Sequence, residues 1–184
     1  MADILYEAAV KYQCLLKKGY NIVLGRRGKT FYIQLRFSMD SFFHFIGLQH
    51  LKDITFPSKN KERIYKDILD KKVTYEMIKK SVFYDEYFVE ERIIYMDRLE
   101  EMLDSSKLLF QINHTEYIKY TTIRADFLCE YKLPENAESS LYFFITRESK
   151  SKFENEYKGC SFLKSIILTI KEALPKQLCY LTQK

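Results

Sequence analysis

From Ala2 to Lys18 the apolar side chains recur at spacings of three and four, as Ile4, Leu5, Ala8, Tyr12, Leu15 and Leu16. That period predicts an amphipathic helix with Gly19 as its C-cap. The period then drops to two. "YNIVLG" and "TFYIQLRF" alternate, and the intervening "RRGK" predicts a basic hairpin turn. On the second strand Phe31, Ile33, Leu35 and Phe37 should share one face. Tyr32, Gln34 and Arg36 share the other, a polar face carrying a cation and directed at water or a ligand. Ser38 to Ser41 then offers N-caps for a short helix through "FFHFIGLQHL".

The middle of the chain reads as helical. "FPSKNKERIYKDILDKK" is a turn and a helix, "TYEMIKKS" a further helix capped by Thr74, and "DEYFVEERIIYMDRLEEMLDSS" the longest helix. Phe88, the Arg92 stem, Ile93, Met96, Leu99 and Leu103 form its expected core stripe. After Ser106 the pattern is mostly strand: "KLLFQINH", "YTTIRADFLCEY", "LYFFITRES" and "SIILTIKEAL". In the second of these Ile123, Ala125, Phe127, Cys129 and Tyr131 alternate with Thr122, Arg124, Asp126 and Glu130. "LPENAESS" reads as a loop and "KSKFENEYKG" as a polar, mobile connection. The order of elements predicts an α+β fold: a small antiparallel sheet packed on helices, with a helical insert at about 58–105, in a single domain of 1–184.

Composition changes this picture little. Of 184 residues 47% are hydrophobic and 30% charged, which is ordinary for a globular chain. The aromatic content is unusual, with 15 Tyr, 14 Phe and no Trp. Half-exposed rings can stack on a base or a partner surface, although core and strand filling is the commoner use. The net charge of +5 suits a partner bearing phosphates without demanding one. Local basic clusters fall at Arg26, Arg27 and Lys29, at Lys150 and Lys152, and at Lys164, Lys171 and Lys176. The four cysteines, Cys14, Cys129, Cys160 and Cys179, make no CxxC pair, and no His stands at metal-ligand spacing from them. Free thiols, a reducing compartment and no zinc site are therefore expected. The first residues are not expected to be a signal peptide, and no apolar run reaches membrane-spanning length. A soluble, cytoplasmic protein with no membrane contact is the expectation.

No Walker loop, GxGxxG, HExxH or GxSxG motif is present, so candidate chemistry rests on a constellation. His44 follows closely on the strand that presents Arg36. A histidine exchanges protons near neutral pH, and an arginine grips a phosphate with two parallel hydrogen bonds. Together they are the minimum kit for cleaving RNA without a metal: a base for the 2′-hydroxyl, an acid for the leaving oxygen, a cation for the phosphate. The competing reading makes His44 a core histidine between Phe43 and Phe45. His50 reads more readily as a helix-end polar residue, and His114 as a surface residue at a strand end.

"FYIQLRFSMDSFFHFIGLQHL" also resembles the amino-terminal signature of a phage-type nuclease family of the barnase–EndoU–colicin–RelE-like fold, the fourth of its phage subfamilies. "IRADFLCEY" is similar to that family's Ala-Asp-aromatic strand, and "LYFFITRE…CSFLKSIILTIKEAL" to its closing strands. The stretch 58–105 is largely unmatched. The resemblance implies a small antiparallel sheet on helices and a metal-independent ribonuclease-like site on the open face. Carried over by position, it nominates His44 and Arg36, with Ser161 and Thr169 from the closing strands as donors to the phosphate. Phe45 departs from the Leu expected after the motif histidine, which puts the pocket's shape in doubt. Arg26, Arg27, Lys29, Lys164 and Lys171 are the expected RNA-binding cations. The expectation is then a metal-independent RNA endonuclease of phage or mobile-element type that cleaves by 2′-hydroxyl transesterification. It needs no cofactor, has no DNA specificity, and has a cognate inhibitor protein as a candidate partner. The alternatives are a catalytically inactive module binding RNA or protein, in a toxin or defence setting, and a structural phage protein.

Overall fold

The computed structural model describes residues 3–26, 29–105, 108–111, 123–149, 151, 153, 155–166 and 178–183. In the strand segments 25–26, 29, 108–111, 137, 165–166 and 178–183 it describes the backbone alone. The chain divides into two compact units: Met1–Lys18 with Phe37–Leu99, and Gly19–Arg36 with Glu100–Lys184.

The first unit is helical. Helix α1 (Ile4–Leu16) is capped by Asp3, whose carboxylate accepts from the backbone N–H groups of Leu5 and Tyr6 at 3.1 Å each. Its C-cap is Lys17 rather than Gly19, and Gly19 instead opens the first strand. Leu5, Ala8, Ala9, Tyr12 and Leu15 form the buried stripe. Helix α2 (Met39–Phe45) follows the N-cap Ser38, whose hydroxyl bonds Asp40 and Ser41 rather than a helix N–H. Phe42, Phe45 and Ile46, at spacings of three and one, are fully buried. They meet Tyr12, whose ring lies 5.1 Å from Phe42 and 5.9 Å from both Phe45 and Tyr65. Gly47 (φ 81°) ends the helix in the left-handed conformation that favours glycine, and a 3₁₀ turn, Leu48–His50, continues from it.

Helix α3 (Lys61–Leu69) is capped by Asn60 Oδ1, which accepts from the Arg63 N–H at 3.1 Å. Helix α4 (Tyr75–Ile78) has Thr74 at its N-cap position without a side-chain capping bond. The long helix expected next is interrupted. It runs as α5 (Val89–Ile94), a 3₁₀ turn at Tyr95–Asp97, and α6 (Arg98–Ser105), with the division between the two units falling inside α6. Arg92, Ile93, Met96, Leu99 and Leu103 are buried as the stripe predicts, but Phe88 is 63% exposed. The reason is its φ of 53°: Phe88 is the left-handed residue before the helix and does not share the helical face.

The second unit is a barrel. Strands β1 (Gly19–Arg26) and β2 (Lys29–Arg36) pair antiparallel along their whole length, from Gly19↔Arg36 to Arg26↔Lys29. The expected hairpin is therefore present, with Arg27 and Gly28 outside the described residues. Ile33 and Leu35 are buried and Arg36 is exposed as expected, while Phe31 is half-exposed. The later strands are β3 (Leu108–Gln111), β4 (Phe127–Leu133), β5 (Asn136–Arg147), β6 (Glu156–Ile166) and β7 (Leu178–Gln183). Their order, β1-β2-β6-β5-β4-β3-β7, closes through β7 onto β1. Every described pairing is antiparallel except β2 with β6, which is parallel.

Two expected loops are shorter than predicted. "LPENAESS" contributes only Pro134 and Glu135 between strands. Its serines belong to β5, where Ser140 donates to Glu130 at 3.0 Å and so carries a polar side chain into a fully buried position. "KSKFENEYKG" becomes strand from Glu156 onward, because the Gln34 N–H donates to the Asn155 carbonyl at 2.7 Å and starts the parallel pairing. The alternation expected from Ile123 to Tyr131 also fails locally: Phe127, Leu128 and Cys129 are buried in succession. The architecture is α+β as predicted, and no described helix is long and apolar enough to cross a membrane.

Candidate active site

His44 lies in the last turn of α2, and the burial of its neighbours fixes its direction. Phe42 and Phe45 take the core side of the helix, so Phe43 and His44 are left on its half-buried flank. The ring of Phe43 meets that of His44 edge-on at 5.9 Å and is itself packed against Phe56 at 5.7 Å.

Lys61, at the first position of α3, lies against the imidazole. Its Nζ is 2.7 Å from His44 Nε2 and 5.9 Å from the centre of the Phe43 ring. An ammonium has protons and no lone pair, so it donates and Nε2 accepts. With the ammonium as donor the ring proton sits on Nδ1, and Nε2 is the acceptor.

Gln49 connects this histidine with the second one. Its Nε2 approaches the His44 carbonyl at 3.4 Å and His50 Nε2 at 3.0 Å. The His50 ring stacks on Tyr87, with centroids 4.0 Å apart and planes within 4°. Burial, then the charges of Arg92 and Lys52, push the His50 pKa below its ordinary value, with Glu86 acting weakly the other way. Arg92 is itself 8% exposed, and its Nε donates to the Tyr87 carbonyl at 3.1 Å. Burial lowers its pKa to about 10, so it stays charged at neutral pH.

The other nominated residues belong to the barrel unit. Arg36, the last residue of β2, is exposed, and its Nε lies 3.7 Å from Glu156 Oε1. Glu156 also accepts from the Ser151 hydroxyl. Arg36 is in register with Lys158 of β6, and Ser161 lies three residues further along that strand, opposite Phe144. The Ser161 side chain is 7% exposed, so as placed its hydroxyl is not offered to solvent. Lys164 is half-buried on β6, in register with Leu141. Arg26 and Lys29 face one another across the hairpin in the backbone register. Arg27, His114, Thr169 and Lys171 lie outside the described residues. Among the described residues no group of three or more His, Cys, Asp or Glu side chains is placed to hold a metal ion. Cys14, Cys129 and Cys160 are free thiols.

Lys61, Gln49 and Tyr87 were not nominated by the sequence. Lys61 sits in a run of mixed charge, directly after the Asn60 cap, and nothing in that run distinguishes it from Lys59 or Lys66.

The helical unit thus sets a histidine beside a lysine, and the remaining candidate residues stand on a closed, mostly antiparallel barrel. The family model for phage-Barnase-EndoU-ColicinE5/D-RelE like nuclease4 matches residues 4–172, and the chain belongs to that family. It is a nuclease of the barnase–EndoU–colicin–RelE type. The match also takes in the stretch 58–105, which includes Lys61. No curated protein and no solved structure matches the chain significantly.

Proposed function

We propose that the protein is an RNA endonuclease that cleaves by attack of the 2′-hydroxyl on the adjacent phosphodiester, with His44 as general base. The observation that carries the reading is the placement of His44: its Nε2 lies 2.7 Å from the Lys61 ammonium, a donor, and this favours an unprotonated Nε2 able to take a proton. Membership of a nuclease family supports phosphodiester cleavage. In the reaction Nε2 takes the 2′-hydroxyl proton, the 2′-oxygen bonds to phosphorus, and the bond to the 5′-oxygen breaks. The leaving oxygen receives a proton from water. The products are a 2′,3′-cyclic phosphate and a 5′-hydroxyl.

Arg36 is the proposed phosphate clamp. Its ion pair with Glu156 is long and its side chain is 66% exposed, so an incoming phosphate competes for it at small cost. Tyr32, two-thirds exposed on the same strand, supplies a ring on which a base can stack. The net charge of +5 favours encounter with a polyanion. Thr169 stands as a proposed donor to the phosphate, and Arg26, Arg27, Lys29, Lys164 and Lys171 as proposed backbone contacts. The cytoplasmic setting and an inhibitor protein as partner belong to the same proposal.

The test is a pair of matched oligonucleotides, one RNA and one DNA, incubated with wild type and His44→Ala. Cleavage of the RNA alone, reduced roughly 10²–10⁴-fold in the variant, is the expected result. Equal cleavage by a folded variant, or cleavage of DNA at the same rate, overturns the reading. RNA binding without cleavage would instead make the chain an inactive binding module.

A further inference from the structure

We infer that Lys61 is a substrate-displaced cap on His44 and a specific contact to the scissile phosphate, a deepening that rests on the His44 reading above. Three observations converge on it. The ammonium sits 2.7 Å from Nε2, on the one lone pair that a general base uses. It also stands over an aromatic face, with Nζ 5.9 Å from the centre of the Phe43 ring, and a ring holds an ammonium less firmly than a carboxylate does. The residue also occupies the first turn of α3, where the helix dipole gives a cation no stabilisation. Helix stability therefore does not account for a lysine here.

The chemistry follows from these positions. Before substrate arrives, the ammonium donates to Nε2 and holds the ring in the tautomer protonated at Nδ1. An anionic phosphate oxygen is a stronger acceptor for an ammonium than a neutral imidazole nitrogen. A phosphodiester delivered to His44 therefore draws Lys61 away and releases Nε2 for the 2′-hydroxyl proton. In-line displacement places the attacking and leaving oxygens on opposite sides of phosphorus. A donor lodged against the base thus reaches a non-bridging oxygen beside the nucleophile, and the leaving oxygen lies beyond it. Lys61 stabilises the charge that grows on that oxygen and transfers no proton.

The experiment uses a fluorogenic RNA oligonucleotide with wild type, Lys61→Met, Lys61→Arg and His44→Ala, together with long-range ¹H–¹⁵N spectra of the histidine rings in the substrate-free protein. Losing one preorganised donor should lower kcat/KM roughly 10²–10³-fold in Lys61→Met. Lys61→Arg should recover most of that loss, because the cation is restored. The spectra should show His44 Nε2 unprotonated in wild type, with the tautomer redistributed in Lys61→Met; a residue that only supports the fold would leave this signature unchanged. Lys61→Met with full activity, beside an inactive His44→Ala, overturns this inference and leaves the His44 reading standing. A fully active His44→Ala overturns both.

Discussion

Gly47→Ala tests the joint that ends the helix bearing His44. Gly47 has φ 81°, where an L side chain crowds its own backbone. A Cβ at this position would stand 3.2 Å from Arg92 Cδ and 3.5 Å from both Arg92 Nε and Val89 Cγ2. The arginine cannot yield freely, because its side chain is buried and its Nε is bonded to the Tyr87 carbonyl. The left-handed conformation costs an alanine about 1 kcal/mol at the lower end of its range, and overpacking adds about 1 more. A total of about 2 kcal/mol corresponds to a loss of roughly 4–8 °C in Tm for a chain of this size. The chain has no Trp, so urea and thermal unfolding are best followed by circular dichroism at the helical band. A variant within about 0.5 kcal/mol of wild type would refute the argument, since even a modest share of either cost exceeds that.

His50 makes stability depend on pH. Its folded pKa is depressed below 6.5, so the unfolded chain binds the extra proton first; the contribution is complete above that value and falls as pH drops through the window beneath it. His50→Gln should flatten the slope of stability against pH between 7 and 5, and an unchanged slope contradicts the assignment. Alkylation of the native protein followed by peptide mapping should label exposed Cys14 well before Cys129 or Cys160, the latter with its pKa raised to about 12 by burial; early labelling of Cys160 would be inconsistent with its placement. Tyr65 donates to the Ala9 carbonyl at 2.7 Å in a buried setting, so Tyr65→Phe should cost about 1 kcal/mol or somewhat more in urea unfolding. No measurable loss would show that this bond is not made.

Local patterns were legible where one face of an element is buried and the other wet. The two alternating runs, "YNIVLG" and "TFYIQLRF", with "RRGK" between them, are enough to place the hairpin. The stripe through Ile93, Met96, Leu99 and Leu103 was enough to place the core side of α5 and α6. What escaped was non-local. The parallel pairing of β2 with β6 and the closure of β7 onto β1 join segments more than a hundred residues apart, and neither leaves a periodic trace. Polar residues also misled: Ser139 and Ser140 read as loop, yet Ser140 finds Glu130 across the strand pair and is buried. Phe88 read as a helix-core residue because a left-handed φ is invisible in a hydrophobic pattern.

The candidate site was half legible. His44 could be singled out as a proton-transfer group, and Arg36 as a cation on a polar strand face. The resemblance to the nuclease family was carried by the segments around them, and the family match bears it out. Lys61 could not be found that way, because its place beside His44 comes from the approach of α3 to α2 and not from spacing along the chain. The Gly47 stop, by contrast, has a sequence signal, a glycine at the end of a helical run.

The most direct measurement of the central claim is the mass of the 5′ fragment released from an RNA oligonucleotide, alongside the same oligonucleotide bearing a single 2′-deoxy substitution at the cleaved position. Attack by the 2′-hydroxyl predicts a fragment ending in a 2′,3′-cyclic phosphate, no cleavage at the substituted position, and loss of both products in His44→Ala. A fragment ending in a 3′-hydroxyl, or undiminished cleavage at the 2′-deoxy position, would contradict it.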